Sequence, residues 1–168
     1  MSFILGSERG LLVRGLREYR LRRRVGEEHL LRAVYEHFES SGIKNPGDGF
    51  FQIGDILHKR SWSRRHLLGL ARRAEQDGYL IPLSRGRCQL TRTGWLEAEK
   101  ITRNHRLWEL YLIHYADIAP AMVDREADAV EHIVGPEIAG RLGKLLSEKA
   151  LPYQVPESPH QITGEPAP

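Results

Sequence analysis

The residues of this chain best suited to chemistry lie in the stretch Asp124-Arg-Glu-Ala-Asp128-Ala-Val-Glu131-His132. On a helix, residues three and four apart sit above one another, so Asp124, Asp128, Glu131 and His132 share one stripe. Carboxylates gathered this closely repel one another unless something positive sits among them. Oxygen and imidazole donors together suit manganese, ferrous iron, zinc or cobalt. A solvated helix face is the plain alternative for any acidic strip taken alone. A helix expected just upstream adds His105 and Glu109, again at i, i+4.

Composition bounds the elements that must position these groups. At 168 residues the chain holds one ordinary domain or two small ones sharing a core. Hydrophobic residues make up 40% and charged residues 28%, which places the chain among globular proteins and not disordered ones. Cys88 is the only cysteine, so no intramolecular disulfide can form and a reducing compartment is expected. Net charge is +3, yet arginine clusters in the first quarter and across residues 60–73, while the chain turns acidic from the third quarter onward. That asymmetry points to an anionic partner for one half and a cationic ligand for the other. No apolar run reaches the roughly 18 residues of a membrane helix, and Glu8 and Arg9 interrupt any signal-like start. A cytoplasmic location is expected.

Residues 1–24 form a basic segment, a solvated arm or one that meets an anionic surface. Glu27 to Ser40 has Leu30, Leu31, Val34, Tyr35 and Phe38 at helical spacing. A breaker-rich loop, Ile43 to Gly49, leads to a short helix from Phe50 to Lys59 with Ile53, Ile56 and Leu57 inward. After a tight turn, Ser63 is placed to cap a second helix running to about Asp77. Its core stripe is Leu67, Leu70, Ala71 and Ala74, with Arg64, Arg65 and Arg72 on the other face. Two short helices joined in this way make a helix-turn-helix. Tyr79 to Leu83 and Cys88 to Thr91 read as a free-standing two-stranded hairpin with Arg85 and Arg87 at its tip. The fold class is therefore mainly α: a winged helix-turn-helix over residues 25–94, then an all-helical unit over 95–150. That unit comprises a long helix from Thr93 to Tyr115, the acidic helix from Met122 to Val134, and a helix from Glu137 to Glu148. Large apolar faces on these helices favour a homodimer, matching two-fold DNA half-sites. Residues 151–168, with five prolines after Leu151, form an extended, poorly ordered tail.

In this order and spacing, Tyr79-Leu80, Leu90-Thr-Arg-Thr-Gly94, Asn104-His-Arg-Leu107, Asp128-Ala-Val-Glu-His132 and Pro156-Glu-Ser-Pro-His160 resemble the DtxR/MntR family of metal-dependent bacterial repressors. The resemblance covers roughly Glu27 to Leu146. It implies a first metal site of His29, Asp128, Glu131 and His132, and a neighbouring one of His105, Glu109 and Asp124. At His29 the family usually carries aspartate or methionine. Members with a second carboxylate one turn later have it where this chain has Arg32, a residue that would repel a metal if it pointed inward. Separately, Arg9-Gly-Leu-Leu12 and the arginines after it resemble the cytoplasmic end of manganese, zinc and iron ABC-transporter permeases, some of which are fused to a repressor-like domain.

The resemblance implies a repressor of metal-uptake genes that binds double-stranded operator DNA through Ser63, Arg64, Arg65, Arg72, Arg85 and Arg87. Its cofactor would be a divalent transition metal, Mn²⁺ or Fe²⁺ first and Zn²⁺ next. The rival is a metal-sensing cytosolic module of a transporter permease that never meets DNA, placed at the inner membrane face. An enzyme is not expected. The Glu131-His132 pair lacks the first histidine of inverted zinc peptidases, where Asp128 stands, and Cys88 has no evident base.

Overall fold

The computed structural model describes residues 24–116, 119, 122–128, 142 and 155–159. The basic segment up to residue 23, most of the helix expected at Glu137 to Glu148, and most of the tail lie outside them.

Helix α1 (residues 24–40) buries Leu30, Leu31, Ala33, Val34 and Phe38, the stripe its periodicity dictates. It stops at Gly42, whose φ of 73° is a conformation glycine adopts without cost. The segment expected to be helical from Phe50 instead begins as a strand. β1 (Phe51–Gln52) pairs antiparallel with a later strand, Phe51 facing Cys88, and buries the Phe51 ring. Helix α2 (Ile53–Ile56) starts only where the Asp55 carboxylate accepts the Gln52 N–H at 2.7 Å, and runs into a 3₁₀ turn at Leu57–Lys59. Helix α3 (Arg64–Gln76) is capped by the Ser63 hydroxyl, which accepts the His66 N–H, and it buries Leu67, Leu70, Ala71 and Ala74 as expected.

Strands β2 (Leu80–Pro82) and β3 (Arg87–Leu90) form the wing, with Leu80 opposite Leu90 and Pro82 opposite Cys88. The sheet order is β1-β3-β2, so the wing is not a free-standing pair: β1 adds a third strand. Pro82 still lies on an edge strand, where its missing N–H costs no ladder bond.

Helix α4 (Arg92–Tyr115) is the beam of the molecule. Its first half packs Trp95, Ala98 and Ile101 into the core of α1–α3 and the sheet, the Trp95 ring stacked on Phe38 at 6.0 Å. Its second half puts Trp108 and Leu112 into a separate cluster with Val123, Ala127 and Leu142. Val123 and Ala127 belong to α5, helical over residues 122–128. The architecture is thus mainly α, a winged helix-turn-helix continued by a helical part, as the sequence pattern requires.

The joint between wing and beam explains the Thr91–Gly94 spacing. The Thr91 hydroxyl caps α4 by accepting the Gly94 N–H at 2.8 Å and donates to the Gly78 carbonyl at 2.7 Å; the Thr91 N–H donates to the Tyr79 carbonyl at 2.9 Å. Gly94 lies directly against the Tyr79 backbone, and a methyl group there would overlap the Tyr79 carbonyl oxygen. The obstacle is backbone, so relief requires moving α4 away from the end of α3. Gly94→Ala should therefore destabilise the fold by at least about 2 kcal/mol, read as a lower urea midpoint with unchanged slope.

Candidate metal centre and nucleic-acid face

The site forms where α1, the turn before α3, α4 and α5 meet. From α4, His105 is 1% exposed and Glu109 fully buried. One turn of helix separates them, and His105 Nε2 lies 3.3 Å from the Glu109 carboxylate. From α5, Asp124 Oδ1 is 3.1 Å from His105 Nε2, and Asp128 Oδ1 is 3.3 Å from His105 Nδ1. A neutral imidazole can donate from only one of these nitrogens. Single donor atoms of His105, Asp124 and Asp128 all lie within 4.8 Å of one another. From α1, His29 Nδ1 stands 4.0 Å from Asp128 Oδ1. Five of the seven proposed ligands, His29, His105, Glu109, Asp124 and Asp128, fall on α1, α4 and α5; Glu131 and His132 lie outside the described residues.

Arg32 does point inward. It is 3% exposed, and its guanidinium donates to Asp128 Oδ1 at 2.9 Å and Asp124 Oδ1 at 3.1 Å. Its Nε lies 3.6 Å from Glu36, one turn further along α1. A second guanidinium, that of Arg60, donates to Asp128 Oδ2 at 2.7 Å. Burial works against the Arg32 charge, but Asp128, Glu36 and Asp124 outweigh it and hold its pKa above the ordinary value. Burial also opposes ionisation of Asp124. The hydrogen bond with His105 and the charge of Arg32 overcome it and hold the carboxyl well below the usual carboxylate range. Glu36 goes the other way: burial pushes its pKa up against the pull of Arg32 and Lys59. By donor type, His105, Asp124 and Asp128 fit a divalent transition ion. By occupancy, the same oxygens are already held by two arginines.

The nucleic-acid side is simpler. Arg64, Arg65 and Arg72 are exposed on one face of α3. Ser63 is committed to its cap. Arg85 is exposed at the wing turn with φ 61°, a left-handed backbone in a non-glycine residue. Arg87 is not at the tip but opens β3, where its guanidinium sits 4.5 Å over the Phe50 ring and its Nε donates to the Ser84 carbonyl. Its contact with an anionic partner would compete with that stacking.

Two groups escaped the sequence reading. Arg60 looked like part of a plain turn; nothing local signals that it reaches Asp128. Arg106 is 1% exposed, grips both oxygens of Glu39 on α1, and donates to the Pro156 carbonyl at 2.7 Å. That bond anchors residues 155–159 of the stretch expected to be a free tail. The Leu107 neighbourhood gave a helix; only the fold puts Arg106 beside Glu39.

Asp124 yields a pH signature. Its folded pKa is depressed, so the stability it contributes is present above its unfolded value, about 3.9, and is lost as pH falls below that. Asp124 is partly solvated, so the contribution is modest. Asp124→Asn should lower the neutral-pH urea midpoint and flatten its fall below about pH 4.

Residues 91–154 match the family model described as iron dependent repressor, metal binding and dimerisation domain. The chain is 27% identical over 125 residues to the manganese transport system membrane protein MntC of Bacillus subtilis, covering 74% of this chain and 27% of that protein. It is 33% identical over 69 residues to a probable metal transport system membrane protein of Chlamydia trachomatis, covering 41% of this chain and 15% of that one. The chain therefore spans only a minor part of either relative. In structure it is similar to the manganese regulator SloR, with a TM-score of 0.61 at 21% identity over 80% of this chain and 60% of that one. It is also similar to the IdeR of T. acidophilum, with a TM-score of 0.60 at 23% identity over 84% and 62%. No described helix is long and apolar enough to cross a membrane. The chain shares its fold with SloR and IdeR, and its residues 91–154 resemble an iron dependent repressor metal binding and dimerisation domain.

Proposed function

We propose that this chain is a divalent-metal-responsive DNA-binding transcriptional regulator, a cytoplasmic homodimer that represses metal-uptake genes. The observation that carries the reading is the position of Arg60. It lies three residues before the Ser63 cap of α3 and bonds Asp128 in the cluster of metal-type donors. Any change at Asp128 is thus delivered to the start of the recognition helix through one side chain.

Residues 25–94 act as the DNA-binding unit and 95–150 as the metal-binding and dimerisation unit. His105, Asp124 and Asp128 hold the ion, with His29, Glu109, Glu131 and His132 as further ligands. Mn²⁺, Fe²⁺ or Zn²⁺ would supply there a positive charge that offsets the carboxylates. Asp128 would then release or redirect Arg60, letting α3 take the angle that fits a major groove. Arg64 and Arg65, at the N-terminus of α3, meet bases or phosphates; Arg72 follows along the groove. Ser63 and Arg87 contact the backbone, and Arg85 reaches the adjacent minor groove from the wing. The apolar cluster of Trp108, Leu112, Val123, Ala127 and Leu142 holds the helices of that unit together. The family and fold are those of regulators, and no catalytic role is assigned to any residue.

A second reading has an observation of its own. Both curated relatives are named as metal transport membrane proteins. The chain would then be the cytosolic metal-sensing module of an ABC-transporter permease, its basic face turned to an acidic protein or to headgroups at the inner membrane face.

Footprinting separates the two. The regulator protects one discrete sequence, and more strongly with Mn²⁺ than with chelator. Equal protection in both removes the metal response, and absence of any discrete footprint favours the transporter module. Joint replacement Arg64→Ala and Arg65→Ala should weaken binding roughly tenfold or more and reduce the salt slope by about 2. Glu131→Ala should abolish the Mn²⁺ response while leaving the thermal midpoint in place.

A further inference from the structure

We propose that Arg32 is a resident counter-ion of the α1–α5 junction, one that closes it without metal and that a divalent ion must displace in order to bind. The inference rests on the reading of His105, Asp124 and Asp128 as metal ligands.

The geometry leaves little choice. Arg32 spans the two α5 carboxylates as a cross-linking cation would, with one nitrogen on Asp128 and another on Asp124. Both acceptor oxygens are the ones that face His105. An ion bonded to Asp128 Oδ1 at about 2.1 Å would lie within about 5 Å of the guanidinium, with no water layer between them. Two cations held that close on the same carboxylate oxygens repel each other, and the 4% exposure of the Arg32 side chain leaves little solvent to screen it. Other donor atoms of Asp128 and His105 are engaged as well. Asp128 Oδ2 is held by Arg60, and His105 has a carboxylate oxygen at each ring nitrogen. Glu36 holds Arg32 from below, since its carboxylate lies beside Nε, so the guanidinium is fixed from three sides.

Metal binding at this junction is therefore an exchange. The apo protein has α5 already docked on α1, and the affinity for metal is reduced by the cost of moving Arg32 aside. This differs from a site of mutually repelling carboxylates, which would hold α5 loosely until an ion arrived.

The test uses the full chain, with Mn²⁺ as the probe, read by calorimetric titration and by thermal melting. Arg32→Met keeps the apolar stem and removes the charge. It should melt lower than wild type in chelator, recover with Mn²⁺, and bind Mn²⁺ roughly tenfold tighter or more. At the same Mn²⁺ concentration wild type should gain less in melting temperature than Arg32→Met. Arg60→Gln, at a partly exposed position, tests the same exchange should Arg32→Met fail to fold, and should tighten Mn²⁺ binding by a smaller factor. Equal or weaker Mn²⁺ binding by both variants overturns the exchange while leaving the metal-regulator reading standing. Mn²⁺ binding by no protein in the set overturns both. None of these readouts involves DNA, so failure to find an operator leaves the result intact.

Discussion

The arrangement of the two halves depends on one buried ionic knot, Arg32 and Arg60 against Asp124 and Asp128. Removing ions from water is costly, and a buried pair repays that only when geometry is good and leftover donors are satisfied. Here each carboxylate has more than one partner, and each arginine reaches an element other than its own. Removing either carboxylate would leave the 4% exposed Arg32 side chain short of a partner, a cost larger than the intact pair contributes. The knot thus fixes position better than it adds stability. Three elements from the winged-helix half and the helical half keep one mutual placement.

That placement matters because α4 runs as one unbroken helix between the two cores. Its start is welded to the end of α3 by the Thr91 cap and the close approach of Gly94 to Tyr79. Its middle is tied to α1 by Arg106 and Glu39, and the same arginine fastens the Pro156 carbonyl. Its second half carries His105 and Glu109 at the knot. A shift of α5 relative to α1 would reach the turn that holds Arg60, which touches the knot directly. Packed interiors transmit such shifts because they have few alternative arrangements.

Much of this was legible in the sequence, wherever a local signal sufficed. The 3.6-residue spacing of Leu67, Leu70, Ala71 and Ala74 with Ser63 in front determines α3 almost alone. The i, i+4 spacing of His105 and Glu109, and of Asp124 and Asp128, places those donors on facing stripes before any fold is known. What stayed illegible was long-range. Phe51 and Gln52 have no strand signature in so short a run; they become a strand because Cys88 and Arg87 offer a free edge. Arg60 and Arg106 have ordinary helix-and-turn surroundings, and their partners lie 68 and 67 residues away. Arg32 was visible as a departure from the metal-site pattern. Which oxygens it would hold was not.

An arginine in place of a metal changes the kind of regulation a junction can support. A free ion is absent or present according to its concentration, whereas a tethered guanidinium is always at hand. A junction closed by a tethered cation is populated in the closed form before any ligand arrives, so an ion can shift it only by the difference between its own binding and that of the arginine it replaces. That difference is smaller than the whole binding energy, which moves the response to higher metal concentrations. Arg32 and Arg60 both bond Asp128, but only Arg60 leads into α3. Displacement at Asp128 would therefore reach that helix through Arg60, and an ion would act on a folded, assembled junction by altering which cation holds it.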